Sequence, residues 1–409
     1  VTRPTDPTAT TRGATRRDVL GLCLAATLPG AARGAPHRTA TPNTETQGAA
    51  AMPTTTPPRG PGLILGPGPA GHWDSERVSC PRVLQLPDGT WRMWYYGRDP
   101  GFDRRITLPT GRVGVADSRD GIHWERVKGP LTMGAVLEPH ADEQRFDAGH
   151  VGVSDIAYRD GLYWLWYFGG DRTPRKFFGM EITGVPMRPG LAISRDGLHF
   201  VRVEGPVQGA LLDVGGPGDP DPLIVGWPQV IPWDDGSFRM YYHTLDARQR
   251  YVVCWAESTD GLRFTKRGVV MEPGPQGRFD DQGVATRHIV RLGKRWVMYY
   301  EGCKNIGRPM EVDRQIGVAV SDDGLRWERV DGPEPNGAVL AQSPPDGGSW
   351  DFRLGCPWLV PLADGGLRLY YIGSNERAGA GADELSSVHQ IGLAVSDGDI
   401  TRFRRYVGG

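Results

Sequence analysis

Short runs of alternating apolar and polar residues fill the chain, and the same order of runs returns about every seventy residues. The plainest run is aromatic: WRMWYY at 91–96, YWLWYF at 163–168, FRMYYH at 238–243, WVMYYE at 296–301 and LRLYYI at 367–372. A second alternating run follows each: VGVA at 113–116, GLAI at 190–193, VVCW at 252–255, IGVAV at 316–320 and IGLAV at 391–395. It leads into Ser-x-Asp-Gly-x-x-aromatic at 118–124, 194–200, 258–264 and 321–327, with a degenerate fifth copy from Ser396 to Phe403. Alternation, then Asp-Gly, then an aromatic is a hairpin pattern. Asp accepts bonds from the turn backbone and Gly supplies positive φ, so these motifs are assigned to structure.

A short apolar strand precedes each aromatic run. It is led in by Trp73-Asp74, Phe146-Asp147, Asp219-Pro-Asp221, Phe279-Asp280 or Trp350-Asp351. Each unit thus predicts four strands in a meander, and no helical period of useful length separates the units. Five such units predict an all-β fold. It is a five-bladed β-propeller with four-stranded antiparallel blades around a central channel. GLIL at 62–65 resembles GAVL at 134–137 and 337–340, so the amino-terminal copy is expected to complete the ring.

Composition narrows the function. The 409 residues carry 47 Lys plus Arg against 48 Asp plus Glu, a net charge of −1, which argues against a basic nucleic-acid binder and gives no sign of a polybasic membrane patch. Gly and Pro number 58 and 35, and they fall between the strand runs as turn punctuation. Trp and Tyr at 13 each suit an aromatic-lined binding surface. Of five Cys, Cys23 lies in the leader. The other four allow two disulfides or none, with small buried thiols the preferred reading.

Residues 1–35 read as a twin-arginine signal: Arg16-Arg17, an apolar stretch at 19–28, then Gly30-Ala31-Ala32. The expected destination is the periplasm or the exterior, and the apolar stretch is too short for a membrane span. A Thr/Pro-rich linker at 36–60 separates it from the propeller at 61–409.

The order of elements, the Ser-x-Asp-Gly-x-x-Trp hairpins and the count of five resemble the five-bladed glycoside hydrolase superfamily. That superfamily holds the family-43 arabinanases and xylosidases, the family-32 invertases and the levansucrases. The hairpin also resembles the Asp-box of the six-bladed sialidases. The resemblance implies a carbohydrate substrate and a site built from carboxylates. The superfamily's base is an Asp-Pro in the first blade, where this chain has Cys80-Pro81. Its acid is a Glu near the matching Pro of blade three, where this chain reads Val225-Gly226-Trp227-Pro228. Asp155 lies one place off the superfamily's tuning Asp. No catalytic role carries over by position.

Propeller topology supplies candidates instead. The start of a blade's first strand and the end of its second meet at one channel mouth. Residues that recur in every unit are assigned to architecture, and residues that occur once are assigned to function. Glycoside hydrolysis needs two carboxyl groups with separated pKa values. The candidate catalytic set is Glu76, Asp155, Asp281 and Glu301. The candidate substrate-binding set is Arg77, Arg98, His150, Asp221, Trp227, His243, Arg287, His288 and Arg353, with Asn375 and Glu376 at the same mouth. His150, His243 and His288 come from three blades, but no close His pair supports a metal site. A channel Ca2+ is known in the superfamily, yet no oxygen-rich motif here calls for one, so no cofactor is expected. The expected function is an exported glycoside hydrolase or a glycosyl-transferring relative. The alternative is a non-catalytic carbohydrate-binding propeller.

Overall fold

The computed structural model describes residues 60–101, 110–177, 180–305, 312–343, 349–374 and 388–408. The expected leader and linker, and Asn375 and Glu376, lie outside them. The described elements are β-strands apart from one 3₁₀ turn, Thr132–Gly134. They form five antiparallel meanders. Their first strands are Arg77–Gln85, His150–Arg159, Gly226–Pro232, Gly283–Leu292 and Arg353–Pro361. The second strands are Trp91–Arg98, Leu162–Gly170, Phe238–Leu245, Arg295–Asn305 and Leu367–Ser374. The third strands are Arg112–Ser118, Met187–Ser194, Tyr251–Ser258, Val312–Ser321 and His389–Ser396. The fourth are short, as in Glu125–Val127 and Val201–Val203, except Thr265–Met271 of unit three. Unit two carries an inserted hairpin, Arg175–Phe177 with Met180–Ile182.

The amino-terminal strand Leu63–Leu65 pairs with the third strand of unit five. The matching segments of later units do the same for their predecessors: Leu137 bridges Val113, and Val339 donates to Ile316. The GLIL copy therefore belongs to the last unit, as its sequence predicts.

The second strands are buried on both faces, which is why they read as aromatic runs rather than alternations. The fifth residue of every run is a tyrosine. Tyr95, Tyr167, Tyr242, Tyr300 and Tyr371 donate to Asp74, Asp147, Asp221, Asp280 and Asp351 at 2.8–3.0 Å. Each aspartate also meets a cation from the fourth strand at 2.6–2.7 Å: Arg126, Arg202, Lys266, Arg329 and Arg405. A buried carboxylate is tolerable only when paired in this way. Asp221 is thus the third unit's copy of a repeated clamp. Its carboxylate is fully buried, which corrects its assignment to the substrate-binding set.

The fourth residue of each run pairs across the first strand with Arg82, Asp155, Gln229, His288 or Trp358. Each of these reaches into the next unit. Arg82 donates to Ser154 O, and Asp155 accepts from Val230 N at 3.0 Å. Gln229 exchanges two bonds with Ile289, at 2.8 and 2.9 Å. His288 Nδ1 accepts from Leu359 N at 2.9 Å. Trp358 Nε1 then donates to Val83 O of unit one at 2.8 Å. The five connectors form a cycle.

The Asp-Gly hairpins close as expected. In unit one, Ser118 Oγ accepts from Gly121 N at 2.9 Å, and Asp120 Oδ1 accepts from Ile122 N and His123 N at 2.8 and 2.9 Å. Their turn carbonyls accept from the second strand of the preceding unit, as in Trp94 Nε1 to Gly197 O and Tyr370 OH to Gly121 O. The cysteines differ from the preferred reading. Cys80 and Cys356 form a disulfide between the first strands of units one and five, and Cys254 and Cys303 are free and buried.

Candidate functional site

Strand register brings three kinds of strand end together. Arg77 pairs with Arg98, Gly226 with His243, Gly283 with Cys303 and Arg353 with Ser374. Third strands start at this same end, where Arg314 pairs with Cys303 and His389 with Ser374. Sequence reasoning stopped at the first two strands and so missed Arg314 and His389. Extending the antiparallel rule by one strand would have found them.

Glu301 is the best-held carboxylate of the candidate set. It is the sixth residue of its aromatic run and is 3% exposed. Its Oε2 accepts from Thr286 Oγ1 at 2.5 Å and from Cys356 N at 3.1 Å. Its Oε1 faces Arg314 at 3.3 Å. A Cβ on Gly355 would lie 2.5 Å from Oε2, so glycine is what lets the carboxylate come this close. Charge-assisted bonds of this kind fix both position and orientation.

A group of guanidiniums acts on His389, and Arg314 ties it to Glu301. Arg77, Arg98 and Arg353 are buried. His389 is held well below the usual imidazole range by burial and then by Arg77, Arg314, Arg98 and Arg353. Those four cations therefore share one neighbourhood, drawn from units one, four and five. His150 is pushed down to about 3 by burial and then by Arg98, and its Nε2 lies 2.9 Å from Gly184 O. Both imidazoles are neutral at neutral pH.

A third cluster joins units two, three and four. Trp227 packs against Phe168 and His243 with ring centroids 4.1 and 4.8 Å apart. Arg287 donates to the carbonyls of Trp227 and Tyr241 and lies 3.5 Å from His243 Nδ1. Burial, then Arg287 and Arg314, hold His243 well below its usual range. Arg314 thus links this cluster to Glu301 and His389. The ring nitrogens His150 Nδ1, His389 Nδ1 and Trp227 Nε1 are buried without a hydrogen-bond partner among the described residues. Such groups suit a ligand rich in hydroxyls.

Two candidates stand apart. Asp155 and His288 are inter-unit connectors. Burial raises the Asp155 carboxyl to about 7, against the opposing pull of Val230 N–H and Arg82. His288 stacks on Trp358 with centroids 3.8 Å apart. Asp281 is half-buried, and its Oδ2 accepts from Gly277 N of its own loop at 3.0 Å. Glu76 is half-buried next to Arg77, and its backbone N donates to Arg98 O at 3.0 Å. His150, His243 and His288 each hold a different neighbour. Among the described residues no group of three or more His, Cys, Asp or Glu side chains is placed to hold a metal ion.

Solved structures resemble this arrangement over most of the chain. A thermostable family-43 glycoside hydrolase aligns with TM-score 0.57 and 16% identity, covering 81% of this chain and 95% of that one. A structure described under β-1,2-mannoside-targeting hydrolases of the GH130 mannoside phosphorylase family aligns with TM-score 0.58 and 19% identity, covering 86% and 95%. The chain has the propeller-type fold of these glycoside hydrolases. At these identities the likeness concerns the fold alone. Among curated relatives, an uncharacterized Mycobacterium tuberculosis protein is 35% identical over 165 residues, 39% of this chain and 51% of its own length. A 1,2-beta-oligomannan phosphorylase of Thermoanaerobacter is 27% identical over 176 residues, 42% of this chain and 55% of its own. The chain therefore spans about half the length of the curated relatives it matches. No protein-family profile matches it.

Proposed function

We propose that the chain is a five-bladed propeller enzyme, exported through its twin-arginine leader, that cleaves a glycosidic bond with Glu301 as its proton-handling carboxylate. The single observation that carries this reading is the seat of Glu301: a buried carboxylate held by Thr286 and Cys356 N, with its other oxygen on Arg314. The cycle of five connectors supports five blades around one channel. A channel mouth lined by Trp227, His150 and His389 suits a sugar, whose hydroxyls pair with ring nitrogens.

Phosphorolysis is favoured over hydrolysis by the guanidinium group. Hydrolysis needs a second carboxylate to activate water. Phosphate is already an anionic nucleophile, so it needs cations to hold it rather than a base. Its oxygen attacks the anomeric carbon, the glycosidic C–O bond breaks, a sugar 1-phosphate forms, and the leaving oxygen takes the proton carried by the Glu301 carboxyl. Arg77, Arg98, Arg314 and Arg353 are the candidate clamp.

The test is incubation of the full chain with β-1,2-mannotriose, with and without inorganic phosphate. Phosphate-dependent release of mannose 1-phosphate supports phosphorolysis. Free mannose in both conditions supports hydrolysis. Binding of glycans across a broad panel without turnover would mean a carbohydrate-binding propeller and sink the enzymatic reading. Glu301→Gln is expected to lower turnover at least ~100-fold.

A further inference from the structure

Two residues before the connectors, the first strands of units four, five and one place Thr286, Cys356 and Cys80. The three are joined side by side. Thr286 Oγ1 accepts from Cys356 N at 3.0 Å, and Cys356 is bonded to Cys80 across 276 residues of sequence. Cys356 and Cys80 have φ of 45° and 49°, the left-handed region that non-glycine residues rarely occupy. Trp227, at the matching place in unit three, has φ of 47° with no disulfide, so the bulge of the first strand sets this conformation. In that conformation Cys356 N–H faces both Thr286 Oγ1 and Glu301 Oε2, the latter at 3.1 Å. Thr286 Oγ1 donates its own hydrogen bond to the same oxygen at 2.5 Å. One carboxylate oxygen is therefore seated by a residue of the disulfide and by the threonine bonded to it.

We propose that the Cys80–Cys356 disulfide is a redox-sensitive clasp of the Glu301 site. Closed, it joins the first and fifth units and holds the Cys356 peptide and Thr286 on the carboxylate. A dithiol opens it: two electrons and two protons pass to the cysteines, two thiols form, and the dithiol becomes a disulfide. Opening releases Cys356 from the first unit, so the peptide that seats Glu301 loses its tie across the two strands and the seat loosens. Thr286 is a positioning residue that acts through Glu301. The clasp rests on the reading of Glu301 as the proton-handling carboxylate, but its bonding is testable without any substrate.

The experiment uses the full chain purified without reductant. Alkylation and mass spectrometry should find Cys80 and Cys356 protected before dithiothreitol and reactive after it. Two alkylated thiols in the native, unreduced protein would overturn the clasp. Thermal melting with and without dithiothreitol is then compared in wild type, Glu301→Gln and Thr286→Val. Reduction is expected to lower the wild-type melting temperature by several degrees and that of each variant by clearly less, because the coupled groups are not additive. Equal decrements in all three would reduce the disulfide to a staple with no hold on Glu301. Chemical reduction makes the comparison even where Cys356→Ser fails to fold. On β-1,2-mannotriose, reduction and Thr286→Val should each lower kcat about tenfold or more with little change in KM, and Thr286→Ser should restore it. An unchanged kcat after confirmed reduction would overturn the seat. A wild type inactive on this probe tells against the substrate reading, while the melting comparison still decides the clasp.

Discussion

The aspartate clamps and the inter-unit connectors both occur once per unit, yet they look opposite in sequence. The clamp is written with nearly the same residues five times: Asp, Tyr and a cation. The connector is written as Arg82, Asp155, Gln229, His288 and Trp358. Clamp partners sit inside one unit, where the backbone repeats and the same geometry recurs. Connectors cross between units, where the group to be met changes. Arg82 and Trp358 donate to carbonyls, Asp155 and His288 accept from amides, and Gln229 does both with Ile289. Five unlike side chains thus perform one job. The rule that a residue occurring once serves function therefore fails at Asp155 and His288.

The sharpest way to break this comparison is at the closing connector. Trp358 bonds Val83 O, stacks on His288 and lies under the Arg82 guanidinium at 5.1 Å. Trp358→Ala should cost about 3–5 kcal/mol in denaturant unfolding. A cost near that of a surface substitution would mean that the cycle contributes little.

Among the connectors, Asp155 gives a pH signature. Its folded carboxyl is raised from the ordinary 3.8 to about 7, chiefly by burial. Between those values the folded state keeps a proton that the unfolded state has lost. Stability from this group therefore falls as pH rises from about 4 to about 7 and is fully lost above that. Asp155→Asn should flatten that part of the stability–pH curve, and an unchanged slope would remove Asp155 as its source.

Clamp tyrosines should behave alike. Tyr95→Phe, Tyr167→Phe, Tyr300→Phe and Tyr371→Phe each leave a buried carboxylate one donor short, at about 1–3 kcal/mol apiece. Widely unequal melting shifts would mean that the units are not equivalent inside. The smallest effect is expected at the odd clamp. Four clamp arginines also donate to a carbonyl, as Arg126 does to Gly66 O and Arg202 to Glu138 O. Lys266 has no planar fork with which to span both acceptors. Lys266→Arg should stabilise unit three by up to about 1 kcal/mol in the same unfolding assay.

Much of the fold was legible because strand period, Asp-Gly turns and aromatic runs are local, and each copy reinforces the others. The unit order, the GLIL strand donated to the last unit and the structural role of the hairpins all followed from that repetition. The site was legible only in part. Arg77, His150 and Arg353 begin first strands and Arg98 ends a second strand, as the strand-end rule expects. Arg314, His389 and Thr286 were missed. The first two begin third strands, and Thr286 is an ordinary strand threonine until Cys356 and Glu301 are brought to it. Asp221 was misplaced because Pro220 and Asp219 blur its repeat position and a lysine replaces the arginine of its clamp.

By itself the sequence determined the repeating unit, its four strands and the residues that recur within it, because short-range geometry depends on neighbours along the chain. Only the tertiary structure decided what the unique residues do. Cys80 meets Cys356 across 276 residues and Trp358 returns to Val83, contacts between the two ends of the chain that no local pattern encodes. Whether a lone acid becomes a connector, as Asp155 does, or a seated carboxylate, as Glu301 is, depends on which backbone amides and hydroxyls of the next unit arrive beside it.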